Sequence, residues 1–243
     1  MKIMFLCAHP DDLELCVGEF IYQLNKIHDV WIVSATRGEW GTVNKRLKGK
    51  WLAKIRENEL KAAALVNGVP PHKVKFLGYI DGEIEFKEPI ITDIINFIEK
   101  NNFDIIFAPE YFFTYYFHSD HTNLGKIILY YAYINKNKSK KNVFYYHSVY
   151  NNVFIRVDMR RTHKAIMKHK TQILLIGFFI ALRPVLNLLN GLISKKLPFA
   201  EGVRKLDLNT EKNLKLPLFY RILYHFFEIG KSFERPWKKE TKN

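Results

Sequence analysis

In MFLCAHPDDLELCVGEF, residues 4–20, an apolar run breaks off at a histidine, a proline and two adjacent aspartates, then resumes at helical spacing. KIMFLC (2–7) reads as a strand buried on both faces, and LELCVGEFIYQLNKI (13–27) as a helix, because its apolar residues recur every third or fourth position. An imidazole and two carboxylates therefore stand where a core strand ends. That placement is costly unless the groups are used.

The pattern repeats along the chain. DVWIVSAT (29–36), KVKFLGY (73–79) and FDIIFAPE (103–110) read as further buried strands, and NVFYYH (142–147) and VFIRVD (153–158) as two shorter ones. Between them, LAKIRENELKAAALVNGV (52–69), PIITDIINFIEKNN (89–102) and HTNLGKIILYYAYINK (121–136) carry helical periodicity. Alternating strands and helices predict an α/β fold, a mostly parallel sheet flanked by helices in a Rossmann-like arrangement. Ligands of such sheets sit beyond the carboxyl ends of the strands. There the chain places AHPDD, RGEWG, YIDGE and PEYFFTYYFHSDH, one polar loop per strand, on one edge.

A chain of 243 residues, 48% hydrophobic and 15% aromatic, has enough apolar surface for one large domain and is not of disordered composition. Its two cysteines, Cys7 and Cys16, make no disulfide framework and fit a reducing compartment. The apolar run at the N-terminus is too short for a signal peptide, so a cytoplasmic protein is expected. The net charge of +14 fits a lysine-coated surface or a basic face for anionic lipid or substrate. No RNA-binding aromatic motif, zinc-finger spacing or internal repeat is present, and nucleic acid is not the expected partner. The first turn lacks the glycine fingerprint of a dinucleotide site.

His9 and Asp12 lie three apart across a turn that starts at Pro10, and Asp11 between them faces elsewhere. On the fourth loop His118 and His121 are also three apart, with Asp120 between. Imidazole and carboxylate donors together suit zinc or another first-row divalent metal, and three protein ligands with an open position form a catalytic site. A further carboxylate beside the ligands is placed as a general base.

AHPDDLE (8–14) resembles the A-H-P-D-D-x-E signature of the LmbE/PIG-L superfamily of zinc-dependent N-acetylglucosaminyl deacetylases, and HSDH (118–121) resembles its H-x-D-H motif. RENELKAAALVNGV, FLGYIDGE and ATRGEWG are similar to three intervening segments, and HKTQ and FAEGVR to two later ones, so the likeness runs from residue 1 to about residue 205. The resemblance implies hydrolysis of an N-acetyl group on an amino sugar. It implies His9, Asp12 and His121 as ligands of Zn2+, with Fe2+ or another divalent metal as the alternative, and Asp11 as general base. It further implies His118 as acid or oxyanion donor oriented by Asp120, Tyr116 near the oxyanion, and Arg56 and Asp81 as sugar contacts. Where many members carry Gly-Gly after the first motif, this chain has Gly18-Glu19, and Glu19 caps the first helix or narrows the site. His147 is expected at the rim, and His28, His72, His163, His169 and His225 on surfaces or helix faces.

ILLIGFFIALRPVLNLLNGLI (173–193) is apolar but interrupted by Arg183, Pro184, Asn187 and Asn190, and lysines flank both ends. Its unbroken part is too short to span a bilayer. A buried hairpin or subunit interface is one reading. A lid or interfacial helix over a lipid-linked substrate is another, with peripheral contact at the inner face of the membrane, and a transmembrane helix is the third. We therefore divide the chain into an α/β core, 1–172, and an apolar, basic helical extension, 173–243, within the same domain. The expected partner is an N-acetylated amino sugar, and a homo-oligomer is compatible with the sequence. A metal-dependent phosphoesterase or nuclease, and a non-catalytic glycan-binding module, are the competing functions.

Overall fold

The structure, a computed structural model, describes residues 1–112, 118–137, 141–211 and 214–215. One seven-stranded sheet runs in the order β3-β2-β1-β4-β5-β7-β6. β1 (Lys2–Cys7), β2 (Asp29–Thr36), β3 (Val74–Tyr79), β4 (Ile105–Pro109) and β5 (Asn142–Tyr146) are mutually parallel. β6 (Val153–Arg156) and β7 (Ala200–Lys205) close one end antiparallel. The α/β class and the mostly parallel sheet are thus as expected.

β1 sits in the middle because it is apolar on both faces. Ile3, Phe5 and Cys7 pack with Leu13, Ile21 and Leu60 on one side, and Met4, Leu6 and Ala8 with Ile94, Ile106 and Leu124 on the other. From β1 the chain builds outward to β2 and β3. It then returns to add β4 against the other side of β1, with Ile3 opposite Ile105 and Phe5 opposite Phe107. The carboxyl ends of β1 and β4 are therefore neighbours whose following loops diverge, which opens a crevice at the topological switch point.

The helices are α1 (Asp12–Cys16), α2 (Gly18–Asn25), α3 (Lys50–Val66), α4 (Ile90–Asn101), α5 (Ser119–Ile134), α6 (Met159–Ile166), α7 (Ile173–Ser194) and the short α8 (Leu208–Glu211). The single helix expected after β1 is broken at Val17, which leaves helical backbone at φ −136°. Segment 173–193 forms one continuous helix, α7, rather than a hairpin.

The extension beyond residue 172 is not helical throughout. Residues 200–205 enter the sheet as β7, between β5 and β6. AEGVRK carries three charged residues and a glycine, so it lacks an apolar strand signature. It is held instead by buried ion pairs, Arg204 to Glu110 at 2.7 Å and Arg183 to Glu201 at 2.9 Å. A boundary at residue 172 therefore cuts through the sheet, and the C-terminal segments complete the core. Residues 216–243 lie outside the described residues.

Candidate metal centre

β1 ends at Cys7, and the turn beyond it is fixed by its own polar groups. The His9 N–H donates to Asp12 Oδ2 at 2.8 Å, and Asp12 opens α1. β4 ends at Pro109, and α5 starts at Ser119 with His118 as its cap, His118 Nδ1 accepting from the Asp120 N–H at 3.3 Å. α5 lies against the end of β4 because residue 125 is glycine: a Cβ there would fall 2.5 Å from Pro109 O and 2.7 Å from the Tyr111 backbone. One turn earlier on the same helix, His121 is thereby brought to the switch point.

His9, Asp12 and His121 converge. His9 Nδ1 lies 3.0 Å from His121 Nε2, His121 Nε2 lies 3.3 Å from Asp12 Oδ1, and His9 Nδ1 lies 3.8 Å from Asp12 Oδ1. A tetrahedral site with bonds of 2.0–2.1 Å has edges of about 3.3–3.4 Å. All three residues are buried. The other nitrogen of His9, Nε2, faces Asp81 Oδ1 at 3.0 Å and Asp120 Oδ2 at 3.2 Å. Those carboxylates fix the His9 proton on Nε2 and leave the Nδ1 lone pair toward His121 and Asp12, the arrangement by which outer carboxylates orient a metal-binding imidazole.

The charges agree. Burial opposes protonation of His9, yet Asp12, Asp120 and Asp81 together hold its pKa well above the usual imidazole value. Burial opposes ionisation of Asp12, yet His121 and His9 hold it well below the carboxylate range. Asp81 is brought down to about 2, its burial outweighed by His9 and by the Trp40 N–H. Carboxylates in excess around two imidazoles make a site that accepts a cation, and the donor set fits a divalent metal such as zinc.

Around this cluster lies a pocket of about 300 Å³ lined by His9, Asp11, Arg56, Asp81 and His118, with Trp40, Gln172 and Phe179 at its wall. Asp11 is not one of the three converging donors and accepts from Arg56 Nη2 at 2.6 Å, while Arg56 Nη1 donates to Gly38 O at 2.8 Å. Gly38 adopts φ +63°, and a Cβ there would lie 2.2 Å from the Arg56 guanidinium, so only glycine leaves the arginine its seat. Burial, then the neighbouring His9 and His121, push the His118 pKa below the usual imidazole value.

Asp120 has partners besides His118. Its carboxylate accepts from His9 and from the Gly82 and Ile84 N–H groups, at 2.8 and 3.2 Å for the two backbone donors, and its own N–H donates to His118 Nδ1. It therefore ties the 81–84 loop to the His9–Asp12–His121 cluster. Tyr116 lies outside the described residues.

Glu19 does not line this pocket. It is buried against Arg161 and accepts from the Asp158 N–H at 2.7 Å, anchoring α2 to α6. His147 is buried at the end of β5 with its ring 5.5 Å from that of His121, and burial lowers its pKa to about 3. His169, read as a surface or helix-face residue, is fully buried, its Nε2 3.0 Å from Glu14 Oε2. His225 lies outside the described residues. Of the wall residues, Trp40 lies within ATRGEWG and Gln172 closes HKTQ, although neither was singled out as a site residue, whereas Phe179 belongs to no motif and its signal was its place in the apolar segment.

The model of the family described as PIG-L, GlcNAc-PI de-N-acetylase, matches residues 4–132. A diacetylchitobiose deacetylase from Thermococcus kodakarensis is 30% identical over 125 residues, 51% of this chain and 46% of that relative, so the match spans about half of each. Among solved structures, N,N'-diacetylchitobiose deacetylase from Pyrococcus horikoshii, bound to its inhibitor MPG, superposes with a TM-score of 0.76 at 23% identity. That superposition covers 84% of this chain and 83% of the other. GalB, the 4-carboxy-2-hydroxymuconate hydratase of Pseudomonas putida, superposes at 0.69 with 15% identity, covering 85% of this chain and 96% of the other. Both likenesses speak to the fold alone.

Proposed function

Because the chain belongs to the PIG-L family of GlcNAc-PI de-N-acetylases, we propose that it is a metal-dependent hydrolase that removes the N-acetyl group from an N-acetylglucosaminyl compound, one linked to a lipid. We place its action in the cytoplasm, at the inner face of the membrane, in keeping with its two free cysteines. The fold does not decide the reaction, since a hydratase shares it. The observation that carries the reading is the position of Asp11: a carboxylate outside the donor triangle, in the same pocket, held by an arginine. A binding module has no use for it.

Asp12, His9 and His121 would hold the metal, which when bound supplies Lewis acidity to polarise an amide carbonyl and to acidify water. Arg56 holds Asp11 by Oδ1. That leaves Oδ2 to take a proton from the attacking water and return it to the departing amine. His118 Nδ1 is engaged as the cap of α5, so its ring proton sits on Nε2. With its pKa lowered, the ring serves as a neutral donor to the charge developing on the amide oxygen. A pocket of about 300 Å³ is at the small end of ligand sites and suits one sugar unit. Leu175, Ile176 and Phe179 on its wall suit a lipid-bearing aglycone.

The test is mass spectrometry of soluble and lipid-linked N-acetylglucosaminyl compounds incubated with the zinc-loaded protein. The expected result is loss of an acetyl group, slowed roughly a hundredfold or more by Asp11→Asn with metal content unchanged. Intact compounds throughout, or full activity in Asp11→Asn, would refute the proposal.

A further inference from the structure

From Arg183 onward α7 meets the protein through polar side chains, while along its whole length it turns apolar side chains to solvent. On its inward face Arg183 Nη2 donates to Glu201 Oε1 at 2.9 Å and Arg183 Nε to Leu15 O at 3.2 Å. Asn190 Oδ1 accepts from Asn151 at 3.0 Å, and Asn187 lies against Met159. Outward, Leu174, Phe178, Val185, Leu188 and Leu192 form one stripe at helical spacing, with Leu174, Phe178 and Leu192 66–80% exposed. An ordinary surface helix has the opposite polarity.

The composition of that face selects among possible occupants. Arg183 is the only ionisable residue from 173 to 194, and it is buried. The stripe is flanked by Leu175, Leu182, Leu189 and Ile193, not by charges. A helix seam shared with a second copy carries charged flanking positions, and a protein interface a polar rim. A helix surrounded by lipid would have to free Arg183, Asn187 and Asn190 from their partners on the protein. A helix lying in the plane of a bilayer interface satisfies both faces.

Charge and position point the same way. Lys170 precedes α7, and Lys195 and Lys196 follow it, all exposed. The Gln172 side chain donates to Gly41 O at 2.9 Å, tying the start of α7 to the loop that begins at Trp40. From Trp40 to Lys54 that segment holds five basic residues and no carboxylate. Trp40, Val43 and Trp51 on it are exposed, Trp51 at 76%. Exposed tryptophans beside lysines suit the headgroup layer of an anionic membrane. Both elements also reach the pocket, α7 through Ile176 and Phe179 and the loop through Trp40 and Gly41.

We infer that α7 and the Trp40–Lys54 segment form a docking face for an anionic bilayer, on which α7 lies in the interface plane and the pocket opens onto the headgroups. The inference rests on the deacetylase reading only for what is presented there. Docking itself needs no chemistry.

The full-length protein is sedimented with vesicles of phosphatidylcholine alone and of phosphatidylcholine with phosphatidylserine. It should pellet with the anionic vesicles and be largely released by high salt. Leu174→Ser/Phe178→Ser/Leu192→Ser, and separately Lys45→Glu/Arg46→Glu/Lys48→Glu, should each weaken partitioning roughly tenfold or more. Thermal melts check that both remain folded, and turnover of a soluble N-acetylglucosaminyl compound should be unchanged. Absence from both pellets, or unaltered partitioning of either variant, overturns the inference. So does release only by detergent, which marks a spanning helix. An oligomer that the serine variant converts to monomers without vesicles identifies a second copy as the occupant and also overturns it. Docking without deacetylation would refute the proposed function and leave the docking face standing.

Discussion

Arg56 Nη2 lies 2.6 Å from Asp11 Oδ1, and both side chains are buried in the pocket beside the His9–Asp12–His121 cluster. A charge-assisted bond of this length fixes the carboxylate's direction. Arg56→Lys keeps the charge but has no second nitrogen to hold Gly38 O and Asp11 together. Turnover should fall about ten- to a hundredfold with metal occupancy unchanged, as for a misplaced catalytic group. Gly38→Ala should act in the same direction, because its Cβ occupies the arginine's seat. Steady-state kinetics with metal analysis of both variants checks this.

The carboxylates on the far side of His9 set its tautomer. Asp81→Asn and Asp120→Asn should each weaken metal binding roughly ten- to a hundredfold, measured by competition with a chromophoric chelator. His9→Ala and His121→Ala should abolish stoichiometric binding.

His169 and Glu14 give a signed pH dependence. Burial opposes protonation of His169, but Glu14 outweighs it, so the folded pKa lies above the usual 6.5. A group whose pKa rises on folding stabilises the fold fully below its unfolded value and loses that contribution as pH rises through the folded value. His169→Gln should therefore be destabilised more at about pH 5.5 than at about pH 9. Urea melts of variant and wild type at the two pH values measure the difference.

Arg204 bridges two buried carboxylates, Glu110 and Glu211, at 2.7 Å each. Arg204→Met leaves them facing each other and should cost about 3–5 kcal/mol, read from the denaturation midpoint. Adding Glu110→Gln and Glu211→Gln should recover most of the loss, because the uncompensated charge is then gone.

β1 and β2 have the bounds that their apolar runs indicate, residues 2–7 and 29–36, because strands buried on both faces need nothing but hydrophobicity to be recognised. The polar loops after β1 and β4 were equally legible. Costly residues at strand ends mark a site, and parallel connectivity brings those ends to one edge. What each loop residue touches was less legible. Asp120 in HSDH sits beside His118 in sequence, yet its carboxylate meets His9, 111 residues away.

By itself, then, the sequence determined the α/β class, the edge that holds the site and the gathering there of the histidines and aspartates of AHPDD and HSDH, since these follow from local periodicity and the chemistry of side chains. Only tertiary structure decided where charges are buried. β7 is a strand because Glu201 meets Arg183 and the Glu19 N–H, and Arg204 meets Glu110 and Glu211. His169 is interior because Glu14 is there to receive it. α7 turns its polar side inward because those partners wait on β7 and the loops beside it. A charged residue enters a core only when a partner stands opposite, and that partner lies at a distance that no window of local sequence contains.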